Sequence, residues 1–177
     1  MQKPPANKQR AFTLLELLVV MVILALLAGL GLMAFGTIQM KSRDSRRKQD
    51  LANISKALET YYNDYGQYPA SVDGLIAGCG TGGAENCSWG SAWIDDQGTL
   101  YMSALPQDPA GNQNYFYHLL NDNSYYLFAR LENELDNDAA KNGSSPGYYA
   151  GYFCDGASLA CNYLIMSTNL ITKPAIN

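Results

Sequence analysis

From Leu17 to Met40 the chain carries no charged residue, and this run of 24 residues constrains its fold more than any other feature. About 20 apolar residues are enough for a helix to cross a bilayer, so a membrane-spanning helix is predicted over residues 12–40. A cleaved secretory signal is the alternative, but such signals have a shorter apolar region of about 7–15 residues. Glu16 is the one acid of this segment, and a charge at the centre of a span costs about 2.5–3.5 kcal/mol. The carboxylate of Glu16 therefore predicts a specific partner.

Charge divides the chain into two parts. Residues 1–56 contain nine Lys and Arg against three acids, a net charge of +6, whereas residues 57–177 contain three against thirteen, a net charge of −10. The acidic part would repel nucleic acid, so no sequence-specific nucleic-acid partner is expected. A plain count of positive charges on the two flanks of the apolar run would place the acidic part in the cytoplasm.

The cysteines indicate the opposite orientation. Cys79, Cys87, Cys154 and Cys161 include no C-x-x-C pair, and His118 is the only histidine of the chain, so a zinc site is disfavoured. Disulfides form in oxidising compartments, which places the acidic part outside the cytoplasm. Of the three possible connectivities we favour Cys79–Cys87 with Cys154–Cys161, and we follow the cysteines rather than the charge count.

Residues 41–66 predict an amphipathic stem helix. Apolar residues recur at spacings of three and four and form one stripe: Leu51, Ile54, Leu58, Tyr61 and Tyr65. Gly66 and Pro69 supply a helix stop. Because no comparable stop separates this stripe from the apolar run, we predict one helix from Phe12 to Tyr65 whose second half packs on the acidic part.

The remainder, residues 67–177, predicts a globular head. Residues 70–112 read as loop with a short helix near Val72–Ala77, and turn signals then separate two hairpins: "NYFYHLL" with "SYYLFARLE", and "YYAGYFC" with "CNYLIMST". An antiparallel sheet of about four strands on one long helix follows, an α+β fold. Three alternate residues of the second strand are expected to face the stem: Leu127, Ala129 and Leu131.

A hydrolase is disfavoured and no catalytic residue is predicted. The segment "GSSPG" (143–147) fits the G-x-S-x-G pattern with Ser145 as nucleophile, but that motif requires a strand before it and a helix after it. His118 precedes Ser145, the wrong chain order for that fold. A structural role on a strand is the better reading of His118.

The stretch "RAFTLLELLVVMVILALLAGLGLMAF" resembles the N-terminal signature of type IV pilins and of the pseudopilins of type II secretion. In that family a short basic leader ends in a small residue, and Phe, Thr-Leu-x-Glu and an apolar stretch follow. The match extends from Arg10 to about Pro69, since "RRKQDLANISKALETYYNDYGQYP" is also similar to the family's stem. Ala11 stands where the family usually has Gly, and no Pro occurs in the region 21–35, where many pilins have a kink.

The resemblance implies processing and assembly. A prepilin peptidase would remove residues 1–11 on the cytoplasmic side, cutting between Ala11 and Phe12, and would methylate the new amine. In the filament, Glu16 of one subunit would meet the Phe12 amine of a neighbour. A mismatched register would leave both charges buried and unpaired at a cost of about 3–5 kcal/mol, so the pair would specify the axial stagger. The alternative is a Glu16 near the membrane interface that has no partner.

The resemblance also implies a possible calcium site, because major pseudopilins of type II secretion carry one in an equivalent loop. Candidate ligands here are Glu134, Asp136 and Asp138 in "ENELDNDAAKNG" (132–143), which does not fit the EF-hand pattern. A solvated acidic loop is the alternative. For the basic run Arg43–Lys48, contact with acidic loops of adjacent subunits or with lipid phosphates is one hypothesis, and a solvated charge run is the other.

The functional expectation is a prepilin, the structural subunit of a type IV pilus-like filament. The alternative in the same class is the major pseudopilin of a type II secretion system, and the alternative in another class is a membrane-anchored binding module that does not polymerise. Expected partners are other copies of the chain, the prepilin peptidase, the inner-membrane assembly platform with its ATPase, and membrane lipid before assembly. The precursor is expected in the inner membrane with its leader in the cytoplasm and its head outside, and the mature form in a periplasmic or extracellular filament.

Overall fold

The computed structural model of the protein describes residues 12–80, 83, 85–121 and 123–177, without the side chains of residues 30–34. The predicted leader, including Ala11 at the expected cleavage site, lies outside the described residues. The chain divides into two compact units, Met1–Gln39 and Met40–Asn177. We call them the N-terminal unit and the C-terminal unit and describe each separately.

The long predicted helix is present as α1, Leu14–Tyr65. It begins two residues later than expected, because Thr13 occupies the N-cap position. It ends where the stop was predicted: Gly66 has a φ of 70° and donates its amide to the carbonyl of Tyr62 at 2.7 Å. A left-handed glycine just after the last helical residue is the commonest way to terminate a helix.

In the N-terminal unit, α1 exposes all its large apolar side chains that the structure describes, with exposed fractions between 46% and 84% from Phe12 to Ile38. A helix that is apolar on every side cannot be covered by a single neighbouring surface. Among the residues that the structure describes, no helix is long and apolar enough to cross a membrane. The span over residues 12–40 stays a prediction.

The described residues of the C-terminal unit form the end of α1 and ten short strands, all paired antiparallel. The strands are β1 Ser71–Val72, β2 Leu75–Cys79, β3 Glu85–Cys87, β4 Trp93–Ile94, β5 Leu100–Met102, β6 Phe116–Asn121, β7 Ser124–Ala129, β8 Lys141–Asn142, β9 Ser145–Pro146 and β10 Tyr163–Met166. They form two three-stranded sheets, β1-β2-β3 and β10-β7-β6, and two ribbons, β4-β5 and β8-β9. The α+β fold is therefore confirmed, with several small sheets instead of one.

The central strand β7 carries the core. Its hairpin with β6 is confirmed, with Tyr117 opposite Leu127 in the register. The stem stripe packs on the same face: Leu51, Ile54 and Leu58 have no exposed surface and lie in one cluster with Leu127 and Ala129. Full burial of one such side chain stabilises the fold by about 1.5–3 kcal/mol, so this stripe accounts for the packing of the stem on the head.

The opposite face of β7 is also buried, which a simple alternation of apolar and polar residues did not predict. Tyr126 and Phe128 lie in a second cluster under the C-terminal segment of the chain. The ring of Phe128 stacks on Tyr152 with centroids 4.2 Å apart and lies 5.4 Å from Tyr149. A strand covered on both faces is apolar or aromatic at nearly every position, as the sequence "YYLFA" is.

The short helix expected near Val72–Ala77 is wrong. The segment is a hairpin of β1 and β2 that turns at Asp73 and Gly74, whose φ values are 49° and 80°. Positive φ at both central residues makes Asp-Gly a strong hairpin signal. A Cβ on Gly74 would lie 2.6 Å from the ring of Phe116, so close packing also requires glycine there.

The second predicted hairpin is wrong in its first strand. "CNYLIMST" supplies β10, which pairs with β7, but "YYAGYFC" contributes two isolated bridges, Tyr149 with Ile176 and Phe153 with Ala160, and no strand. Gly151, with a φ of 83°, interrupts the extended backbone. The amide of Tyr149 donates instead to the carbonyl of Cys161 at 2.8 Å.

Both disulfides are local. The structure joins Cys79 to Cys87, across β2 and β3, and Cys154 to Cys161, with Cα–Cα distances of 5.2 and 5.3 Å. This is the connectivity favoured from the sequence. Each bridge closes a short loop and stabilises the fold by about 2–3 kcal/mol through the unfolded state.

Candidate assembly site

The predicted assembly residues Phe12 and Glu16 lie at the start of α1, Phe12 just before its first turn and Glu16 within it. Phe12 is 84% exposed. Glu16 accepts two hydrogen bonds at Oε2, from the amide and from the hydroxyl of Thr13, both at 2.9 Å, and its own amide donates to Thr13 Oγ1 at 3.2 Å. This reciprocal arrangement is a capping box, in which a carboxylate at the third helical position satisfies an amide at the helix start.

The capping box gives Glu16 a partner within its own chain that the sequence analysis missed. Its signal, Thr followed three residues later by Glu before an apolar run, is visible in "TLLE". Within the described residues Glu16 Oε1 accepts no hydrogen bond, so one oxygen of the carboxylate serves the cap and the other is available. The pairing of Glu16 with the Phe12 amine of another copy stays a prediction.

The second site lies in the C-terminal unit, where the stem meets the head. Arg47 has no exposed surface and makes a bidentate contact with Asp108, through Nε at 2.7 Å and Nη2 at 2.8 Å. Its Nη1 donates to Asp44 at 2.7 Å and to Glu132 at 2.8 Å. Burial alone would lower the pKa of Arg47, but these hydrogen bonds, led by those to Asp108, raise it overall. The guanidinium is therefore charged and fully paired.

Neighbouring groups complete this stem–head clamp, which we define as Arg43, Asp44, Arg47, Asp108 and Glu132. Arg43 holds Glu132 by two parallel hydrogen bonds, one of them from Nε at 2.7 Å. Asp44 accepts the amide of Glu132 at 2.9 Å. The hydrogen bond from Arg43, with a further one from Arg47, lowers the pKa of Glu132 to about 2. Bidentate pairs of this kind are the most directional ion pairs in proteins, so the clamp fixes the stem against the head.

The clamp corrects the hypotheses for the basic run. Arg43 and Arg47 bind carboxylates of their own chain, and so does Lys48, which contacts Asp136 and Asp138. They are neither a solvated charge run nor ready to bind lipid phosphates. Arg46 differs, because its side chain is 65% exposed and lies 3.8 Å from Asp50.

The candidate calcium ligands do not fit a calcium ion. Glu134 Oε1 accepts hydrogen bonds from the hydroxyl of Tyr148 at 2.5 Å and from Arg130 at 3.1 Å. Asp136 and Asp138 each accept a hydrogen bond from an ammonium group. Among the described residues no group of three or more His, Cys, Asp or Glu is arranged to hold a metal ion. Calcium requires six to eight oxygen ligands, and these carboxylates already face protein donors.

The disfavoured hydrolase motif lies in a turn. Ser145 begins β9 and pairs with Asn142 of β8, so the strand-to-helix turn that a nucleophile elbow needs does not form there. His118 lies on β6 with its ring centroid 5.5 Å from that of Tyr152. It packs against an aromatic ring, in line with a structural role.

Comparison with known proteins identifies the family. The prokaryotic N-terminal methylation motif matches residues 6–32, and the family described as type II secretion system (T2SS), protein G matches residues 36–143. The chain belongs to the type II secretion system protein G family. The resemblance to type IV pilins and pseudopilins is thereby confirmed. Of these two classes, the family match favours the pseudopilin over the pilus subunit.

Curated members of this family cover most of the chain. The type II secretion system core protein G of Aeromonas hydrophila is 32% identical over 135 residues, which is 75% of this chain and 87% of that protein. Those of Klebsiella pneumoniae and Escherichia coli K12 are 37% identical over 108 residues and 33% identical over 106 residues, 60% of this chain in each case and 72% and 70% of theirs. No solved structure matches the chain significantly. The family match includes the stem, the clamp and the whole of the loop 132–143.

Proposed function

We propose that this chain is the major pseudopilin of a type II secretion system, a structural subunit whose short fibre pushes folded proteins out of the cell envelope. The observation that carries this function is the protein G match over residues 36–143, preceded by a methylation motif over residues 6–32. The relatives are named as core components of that system, so a structural role rather than catalysis is assigned.

Polymerisation is assigned to the N-terminal unit. Its described apolar side chains are exposed on all sides, and water is a poor environment for such a surface. Lipid can cover it in the precursor and neighbouring helices can cover it in the fibre, where small residues allow close approach. This gives a membrane-anchored precursor with its leader in the cytoplasm, and a head outside that moves with its helix when the subunit enters the fibre.

Processing creates the positive charge with which the carboxylate of Glu16 pairs in the fibre. A prepilin peptidase that cuts between Ala11 and Phe12 creates an amine four residues before Glu16. The capping box engages Oε2, which leaves Oε1 to accept a hydrogen bond from the amine of a neighbouring copy without loss of the cap. In apolar surroundings an unpaired amine or carboxylate is strongly disfavoured, so the pair selects one axial register.

Two substitutions of Glu16 separate the cap from the charge. Glu16→Gln keeps an oxygen acceptor for Thr13 but removes the negative charge, and Glu16→Ala removes both. Each variant is expressed in a strain that carries a type II secretion system but lacks its own protein G. Sheared fibres are quantified by immunoblot, the mature N-terminus is read by mass spectrometry, and exoprotein export is assayed. We expect methylated Phe12 in both variants, with fibres and export lost or strongly reduced in both.

Thr13→Ser, which keeps the capping hydroxyl, is the matched control and should assemble normally. Normal fibres from Glu16→Gln would contradict the charge pairing and leave the cap as the whole role of the residue. Long sheared fibres with no effect on export when the chain's own gene is deleted would favour the pilus alternative. An uncut N-terminus at Met1 would favour the anchored module.

A further inference from the structure

Lys48 of α1 contacts the acidic loop, which we define as residues 132–143. Its Nζ is 2.6 Å from Asp136 Oδ1 and 2.6 Å from Asp138 Oδ2. The same Nζ lies 5.8 Å from the ring centroid of Tyr163, within reach of a cation–π contact. The Lys48 side chain is 26% exposed, so its ammonium group is largely removed from water and interacts with these groups instead.

Other atoms of the acidic loop are held by protein donors as well. Lys141 Nζ donates to the carbonyl of Glu134 at 2.8 Å, and Glu134 Oε1 is held by Tyr148 and Arg130. Asp136 Oδ1 also accepts the amide of Asp138 at 2.9 Å. Carboxylates and carbonyls are the groups that a calcium ion would require, and here ammonium, guanidinium and hydroxyl groups of the chain engage them.

We propose that the ammonium of Lys48 is a built-in cation that holds the acidic loop on the stem in place of a divalent metal ion. The chain therefore departs from the calcium site that its family resemblance implies. This inference concerns the folded subunit alone and does not depend on the proposed role in secretion. The beginning of the loop is held by Arg47 through Glu132, and its middle is held by the next stem residue, Lys48.

The two cations exclude one another. A calcium ion bound to Asp136 and Asp138 would lie within a few ångströms of the Lys48 ammonium, and a divalent and a monovalent cation that close repel one another strongly. The lysine is covalently part of α1, so its effective concentration at the loop is far above that of a free ion. The folded chain is thus expected to be indifferent to calcium and to chelators.

The test uses the full-length chain in detergent micelles. Calcium binding is measured by isothermal titration calorimetry, and limited proteolysis with mass spectrometry follows cleavage within residues 132–143 in EDTA and in millimolar calcium. For the unmodified chain we expect no calorimetric binding and the same cleavage rate in both buffers. Lys48→Ala should raise the rate of loop cleavage about tenfold, as loss of hydrogen bonds to charged groups implies. Lys56→Ala is the matched control, because Lys56 lies on the same helix and forms no ion pair within the described residues.

A double-mutant cycle keeps the test sharp if Lys48→Ala weakens the whole head. Asp136→Asn should accelerate loop cleavage by less than Lys48→Ala, because Lys48 keeps its contact with Asp138. The double variant should add little to Lys48→Ala, because that substitution already removes the contact with Asp136. Additive effects, or a Lys48→Ala variant that is cleaved like the unmodified chain, would overturn the proposal. So would calcium binding by the unmodified chain with protection of its loop.

Discussion

The two halves of α1 are alike in backbone and opposite in what surrounds them. In residues 14–39 the described large apolar side chains are exposed, whereas in residues 40–65 Leu51, Ile54 and Leu58 are buried in one cluster with residues of strand β7. A helical backbone satisfies its own hydrogen bonds in both cases. The second half buries its apolar surface within the same chain, whereas the described apolar side chains of the first half are exposed, and we propose that lipid or other copies cover them.

Charged side chains also find their partners in different ways in the two halves. Glu16 is engaged by a hydroxyl and an amide of its own helix end, a local solution that needs only three residues. Arg47 is engaged by carboxylates 61 and 85 residues further along the chain. The first arrangement forms as soon as the helix forms, whereas the second forms only when the head folds.

The strongest test of this difference is Arg47→Met. The substitution leaves Asp44 and Asp108, whose side chains are 3% and 0% exposed, without their cation. Breaking a buried pair by removing one partner costs about 3–5 kcal/mol, which we expect as loss of the free energy of unfolding in urea, monitored by near-ultraviolet circular dichroism. Arg46→Met is the control and should change it by less than about 0.5 kcal/mol, since Arg46 is exposed. Equal stability of the two variants would show that the clamp does not hold the stem.

A matched pair of leucines sharpens the comparison of apolar cover. Leu51→Ala opens a cavity in the core and should lower the free energy of unfolding of the head by about 2–5 kcal/mol. Leu24→Ala, at a position 55% exposed in the N-terminal unit, should change it by less than about 0.5 kcal/mol. Both are measured by urea unfolding in detergent micelles. A comparable loss from Leu24→Ala would mean that the first half of α1 is covered by its own chain after all.

The smallest expected effect is the dependence of head stability on acid. The pKa of Glu132 is lowered to about 2 from an ordinary value of 4.5, so the folded state favours its ionised form. Its contribution is present above pH about 4.5 and is lost as the pH falls through about 2, on the order of 1 kcal/mol after screening by solvent. In urea unfolding at a series of pH values, the difference in free energy of unfolding between the unmodified chain and Glu132→Gln should shrink as the pH falls from about 4.5 to about 2. A difference that stays constant with pH would exclude ionised Glu132 as a member of the clamp.

Features that depend on residues close together in the sequence were mostly predicted correctly. Stripe spacing predicted the stem, Gly66 predicted its end, and short cysteine loops favoured the observed disulfides. Two local signals were legible but overlooked, the Asp-Gly turn at residue 73 and the capping box at Thr13. The β10–β7 pairing and the clamp were out of reach, because sequence spacing says nothing about which distant acid meets which base. The interrupted strand near Gly151 shows that a tyrosine-rich run is not extended when a glycine with positive φ divides it.

The burial of Arg47 has a consequence for biosynthesis. Ribosomes deliver the guanidinium long before Asp108 and Glu132 emerge, so in a growing or truncated chain Asp44 is the one carboxylate of the clamp that Arg47 can reach. Only a polypeptide completed past residue 132 can close that contact. The clamp is thus completed late in synthesis, and we expect chains that end before residue 132 to be more open to proteolysis than chains in which it has formed.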